Sequence, residues 1–151
     1  MPVTQRGIRP LLRWLIVAAV LPAFAGTSAA SEDPITRALA LFSAQEMANM
    51  PQIVLAEIKP DGITAATEGF VVDDYPVIYV AEWSDTYKAA KAGDRDAILK
   101  LASIIVHERT HIEHGRSERG AYQEQIQMLH RCGAPPRLID GVRRSMQAVL
   151  R

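Results

Sequence analysis

The chain has 151 residues, one cysteine, and 17 basic against 17 acidic side chains. That length favours one domain, a single Cys132 excludes an internal disulfide, and the balanced charge lacks the basic footprint of a nucleic-acid binder. Three of the arginines (Arg6, Arg9 and Arg13) fall in an acid-free start, so residues 31–151 hold 14 basic and 17 acidic residues, a net charge of −3.

Residues 1–30 read as a secretory signal. A basic start is followed by the apolar run "WLIVAAVLPAFA", Trp14 to Ala25, and then by "GTSAAS", whose small residues suit cleavage between Ala30 and Ser31, with Ala25 and Gly26 as second choice. The run is shorter than the roughly 20 residues a membrane span requires, so the one membrane association to weigh is an uncleaved N-terminal anchor. No cysteine lies near the cleavage region, which argues against a lipoprotein. The expectation is an exported protein, periplasmic or secreted, with residues 31–151 forming a single mature domain.

In that domain, Asp33 to Met50 predicts a helix, with Pro34 in its first turn and Pro51 stopping it. Gln52 to Lys59 reads as a strand, "PDG" (Pro60 to Gly62) as a turn, and Ile63 to Val72 as a second strand, irregular near Gly69. "DDYP" turns the chain again before a third strand, "VIYVA", Val77 to Ala81. Helices follow. Ser84 caps "DTYKAAKA" before Gly93, and Asp94 caps Arg95 to His114, which ends at Gly115. Ser117 caps Glu118 to Cys132, Gly133 ends it, and a last helix runs from Arg137 to about Leu150. Strands first and helices later predict an α+β domain with a small, mainly antiparallel three-stranded sheet. Cys132 and His130 read as structural residues near a helix end.

"IIVHERTHIEHGRSERGAY", Ile104 to Tyr122, holds three of the four histidines and three glutamates. Within it His107-Glu108-Arg109-Thr110-His111 has the H-E-x-x-H form. Helix positions four apart share a face about 6 Å apart, so the two imidazoles can converge on one ion. Glu108, beside that face, can take a proton from a water there and pass it to a leaving amine.

A catalytic zinc site needs a third protein ligand. Glu113 points to the opposite face, and His114 rides further along the same rigid helix, away from the ion. On one unbroken helix Glu118 would be about 16 Å from His107. Gly115 and Ser117, however, are stop and start signals, so the chain can fold back and bring Glu118, in the first turn of an antiparallel helix, to face both histidines. Glu124 sits more than a turn deeper. Tyr122 and Gln125 share the Glu118 face and either bond ligand or substrate groups or pack between the helices.

With "ERGA", Glu118 to Ala121, following the H-E-x-x-H segment, the pattern resembles the gluzincin metallopeptidases, and the short gap resembles their smallest members, the minigluzincins. It is also similar to small bacterial domains of metallopeptidase type that carry a Y-x-x-A segment, here Tyr87 to Ala90, then Leu101-Ala102 before the motif. The resemblance covers roughly Ile78 to Cys132. It implies Zn2+ held by His107, His111 and Glu118, Glu108 as general base, and a peptide or protein substrate. It further implies a strand beside the active helix that pairs with extended substrate, for which "VIYVA" is the candidate. Two departures stand out: Arg109 puts a charge inside the motif, and no separate downstream residue stabilises the transition state, leaving His114, Tyr122 and Tyr87 as candidates. The expected function is an exported zinc-dependent metallopeptidase; the alternative is a non-catalytic binding or inhibitor module stapled by the same metal.

Overall fold

The structure is a computed structural model that describes residues 32–73 and 75–151. The expected signal segment lies outside the described residues. In chain order the elements are α1 (Pro34–Leu39), α2 (Ala44–Ala48), β1 (Gln52–Ala56), β2 (Gly69–Val71), β3 (Val77–Ala81), α3 (Asp85–Lys91), α4 (Arg95–His114), α5 (Glu118–Arg131) and α6 (Pro136–Val149). The fold is α+β and mostly helical, with one small mixed sheet. Among the described residues no helix is long and apolar enough to cross a membrane.

The first predicted helix is two. Asp33 caps α1, and Ser43 then opens α2 with a capping box in which its side chain accepts from the Glu46 N–H while Glu46 accepts from the Ser43 N–H. That local bonding outcompetes continuation of the apolar period. β1 is shorter than expected, and of Ile63 to Val72 only Gly69–Val71 is strand.

The sheet order is β1-β3-β2. β1 runs parallel to β3 (Val54 opposite Tyr79), and β2 runs antiparallel to it (Phe70 opposite Tyr79). The expected mainly antiparallel sheet is therefore corrected. Parallel neighbours need a crossover of about a dozen residues or more. Residues 57–76 supply it, and β2 is formed within that crossover on the far side of β3.

Ile78 and Val80 of β3 pack with Leu101, Ala102 and Ile105 of α4, Ala38 of α1 and Tyr87 of α3 in one core cluster. A second cluster joins Leu99 of α4 to Leu129 of α5 and to Ile139 and Val142 of α6. α4 thus serves both cores. A helix enclosed in this way carries apolar side chains almost all round, and most of α4 from Leu99 to Thr110 is buried. Truncating the fully buried Ile105 to alanine would cost about 2–5 kcal/mol. His107 and Glu108 sit on this packed rod, so their positions are fixed by the surrounding core.

Candidate metal centre

The segment between α4 and α5 makes the site. Gly115 has φ +81°, a left-handed conformation open to glycine at little cost, and it ends α4 by donating its N–H to the His111 carbonyl. Ser117 then caps α5, accepting from the Gly120 N–H at 3.3 Å. Beyond this corner the partners run in opposite order along the two helices. Glu118 meets His107 and His111, Gln125 meets His107 and Ser103, and Leu129 clusters with Leu99.

Ligand atoms of His107, His111 and Glu118 all lie within 4.8 Å of one another. His107 Nε2 is 3.1 Å from His111 Nε2 and 3.4 Å from one Glu118 oxygen, while His111 Nε2 is 3.5 Å from the other. The remaining ring nitrogens settle which protons are present. His107 Nδ1 is 3.2 Å from Gln125 Oε1, and His111 Nδ1 is 3.2 Å from the Gly115 carbonyl oxygen. Both partners are acceptors, so both Nδ1 atoms carry the hydrogen and both Nε2 atoms present lone pairs. The Gln125 amide is oriented in turn, because its nitrogen donates to Ser103 Oγ, which donates to the Lys100 carbonyl. Three acceptors therefore converge with no donor among them, an arrangement that a divalent cation satisfies.

The spacing supports the same conclusion. Zinc–nitrogen bonds of about 2.0–2.1 Å in a tetrahedron place neighbouring ligand atoms roughly 3.3 Å apart. The three observed separations lie around that value, and two imidazoles with one carboxylate are a donor set of catalytic zinc sites. Burial, and then the neighbouring His111, push the His107 imidazole below its usual range, against the opposite pull of Glu118 and Gln125. A neutral ring is the form that ligates a metal.

Glu108 is 8% exposed, and its carboxyl is pushed up to about 7, chiefly by burial and secondarily by the Glu118 charge. Tyr122 sets its ring edge-on to His107, centroids 4.7 Å apart. Burial, then Glu118, Glu68 and Glu108, raise its phenol. These groups line a groove of about 1270 Å³ whose walls are β2 with the preceding loop on one side and α6 on the other. β2 lies close against α4: a Cβ at Gly69 would stand 2.7 Å from Ile104 Cγ2 and 3.3 Å from Glu108 Cγ. Only glycine fits there without displacement, and Glu108 is confined from that side.

Among the other ligand candidates, Glu113 pairs with Arg109 at 3.6 Å on the opposite side of α4, His114 is an exposed neighbour of Glu113, and Glu124 is exposed. Of the three proposed stabilisers only Tyr122 lines the groove; Tyr87 is buried in the first core cluster and His114 points elsewhere. β3 is the central strand with both edges paired, so "VIYVA" has no free edge to offer a substrate, a correction to the expectation. Among the described residues the edge strand beside the groove is the half-buried β2. Arg109 does not reach solvent freely: its side chain is 16% exposed, packed near α2. Residues 32–50 line no part of the groove, so α1 and α2 do not cover it. Nothing in the sequence signals Ser103, and Gly69 carries only a hint, as a glycine inside a β-branched run.

Searches of protein-family models, curated proteins and solved structures returned no match to this chain.

Proposed function

We propose that the chain is an exported zinc-dependent metallopeptidase that hydrolyses peptide bonds with metal-activated water and Glu108 as general base. The observation that carries the reading is the convergence of His107 Nε2, His111 Nε2 and the Glu118 carboxylate beside a buried glutamate at the bottom of a long groove. α4 and α5 act here as an antiparallel pair, one giving two ligands and the base, the other giving the third ligand. When bound, zinc supplies Lewis acidity that polarises a carbonyl and lowers the pKa of water toward neutrality.

The remaining steps belong to the chain. Glu108 has a carboxyl poised near 7, so it can accept a proton from the nucleophile and return it to the leaving amine at neutral pH. Gln125 and the Gly115 carbonyl hold the two histidines in the ligating tautomer. Tyr122 lines the groove, and its hydroxyl would donate to oxyanion charge developing there. The free edge of β2, Gly69–Val71, takes over the role expected of "VIYVA": its backbone can pair with an extended peptide laid along the groove. Export rests on residues 1–30 alone.

The test is Glu108→Gln in zinc-loaded protein assayed against a broad peptide library. Cleavage should fall about 10²- to 10⁴-fold while zinc content is unchanged. Equal turnover by the variant would rule out this base. An uncut library with stoichiometric, stabilising zinc would replace the reading with the non-catalytic metal-stapled module.

A further inference from the structure

We propose that α6 forms the specificity wall of the groove, and that Gly141 leaves room there for a large apolar side chain of the peptide substrate. The inference rests on the metallopeptidase reading and adds the substrate class. Three observations carry it.

The first is the pattern of α6. Leu138, Val142, Ser145 and Val149 recur at helical spacing and all line the groove, as does Gly141 within the same stripe. Val142 is buried against α4 and α5, but Val149 remains 53% exposed with no described segment covering it. Arg143 and Arg144 lie outside the stripe and are exposed.

The second is the glycine itself. In a helix interior glycine costs roughly 0.5–1 kcal/mol relative to alanine. A close neighbour usually explains the choice, as Ile104 does for Gly69. At Gly141 a Cβ would meet only the flexible tip of Arg144, at 3.9 Å, so packing within the chain makes no such demand. Gly141 lines the same cavity as Glu108 and Glu118.

The third is where the rest of the molecule leaves apolar surface bare. Val72, Tyr75 and Val149 are among the large hydrophobic residues that remain exposed, and all three line this groove. Apolar surface gathered in a groove marks a binding site more strongly than the same residues scattered singly. An aromatic or long aliphatic side chain is the partner that such a wall desolvates. Polar side chains would gain nothing from Leu138 and Val149.

The test uses zinc-loaded full-length protein and two probes: a dipeptide hydroxamate with a benzyl side chain and its methyl counterpart, with binding measured calorimetrically. Matched quenched-fluorescent peptides carrying Phe or Ala beside the cleaved bond report turnover. Wild type should prefer benzyl over methyl about tenfold or more, the scale on which apolar pockets discriminate by size. Gly141→Leu should reduce that preference at least tenfold while its melting temperature and zinc content match wild type. If Gly141→Leu does not fold, Gly141→Ala, which adds one methyl into open space, should reduce the preference about threefold with the melting temperature unchanged or raised. A wild type indifferent to the side chain, or a preference that survives both substitutions, overturns the inference. Calorimetry separates the two levels. If no peptide is cut but the benzyl preference appears and responds to Gly141, the peptidase reading fails and the apolar subsite stands. If peptides are cut without such a preference, the subsite fails and the peptidase reading stands.

Discussion

On the groove side of α4, His107 and His111 meet Glu118, and every converging atom is an acceptor. On the opposite side, Arg109 meets Glu113, and Glu46 of α2 receives Arg131 at 2.6 Å. Burial of Glu46 would raise its carboxyl, but the Ser43 N–H and hydroxyl, with Arg131 and Arg109 beside it, hold it below the usual carboxylate range. The two sides of one helix are thus equally rich in ionisable groups and differ in how those groups are satisfied. Behind α4, donors face acceptors: Glu46 is satisfied by Ser43 and Arg131, and Arg109 faces Glu113 as an ion pair, although its buried Nε makes no hydrogen bond. In front, acceptors face acceptors and the Glu108 carboxyl is buried with no cationic partner among the described residues, so the protein gains nothing from the arrangement unless something positive joins it. This asymmetry separates a structural polar network from a candidate binding site, even though the sequence alternates between the two within seven residues, His107 to Glu113.

The contrast can be broken most sharply at Glu108. In metal-free protein its carboxyl titrates near 7 when folded against 4.5 as a free side chain. Between those values the folded chain holds a proton that the unfolded chain has released, so stability falls as pH rises from about 4.5 to about 7 and is level above. Glu108→Gln removes the penalty. The stability difference, variant minus wild type, should therefore grow across that window by ~3 kcal/mol, measured by urea unfolding with chelator at each pH. A difference that stays flat, or grows in the opposite direction, would show that Glu108 is not held protonated by burial. The lowered His107 contributes oppositely below its usual 6.5 but cancels between the two proteins.

A second break is at Gln125. Gln125→Leu keeps the shape and removes the acceptor for His107 Nδ1, so zinc affinity should fall about 10- to 100-fold by competition with a fluorescent chelator. An unchanged affinity would mean that Gln125 only packs. Gly69→Ala sharpens the boundary between sheet and groove. Its methyl would collide with Ile104 Cγ2, and the strain should cost about 1–3 kcal/mol of stability by denaturant unfolding. The smallest effect is expected behind the helix. Arg109→Met should move stability by less than about 1 kcal/mol and leave zinc content and turnover as they were, because Glu46 keeps Arg131 and the pair with Glu113 is long. A large loss of zinc in that variant would erase the distinction between the two sides.

Much of this site is legible in residues because it depends on local chemistry. Asp94, Gly115 and Ser117 mark the ends of α4 and α5, and the structure places those ends where the caps predict. Once the corner is located, the phase of Glu118 follows from helix geometry. Strand direction is different. Nothing in "QIVLA" or "VIYVA" states that they lie side by side and parallel, since that depends on the path of residues 57–76 between them. The same holds for the edge: β3 has the stronger strand composition, yet β2, three residues long, is the edge strand beside the groove, paired on one side only among the described residues. Ser43 illustrates a third kind of loss, where a capping box hidden inside an apolar period divides one expected helix into two. The approach of Gly69 to Ile104 is a long-range contact, and no local pattern carries it.

The measurement closest to the central claim is the zinc content of the purified protein by elemental analysis, after dialysis against a zinc buffer, beside His111→Ala and Glu118→Ala treated identically. Wild type should hold one zinc per chain and either variant none. Zinc-free wild type, or variants that retain the metal, would contradict it.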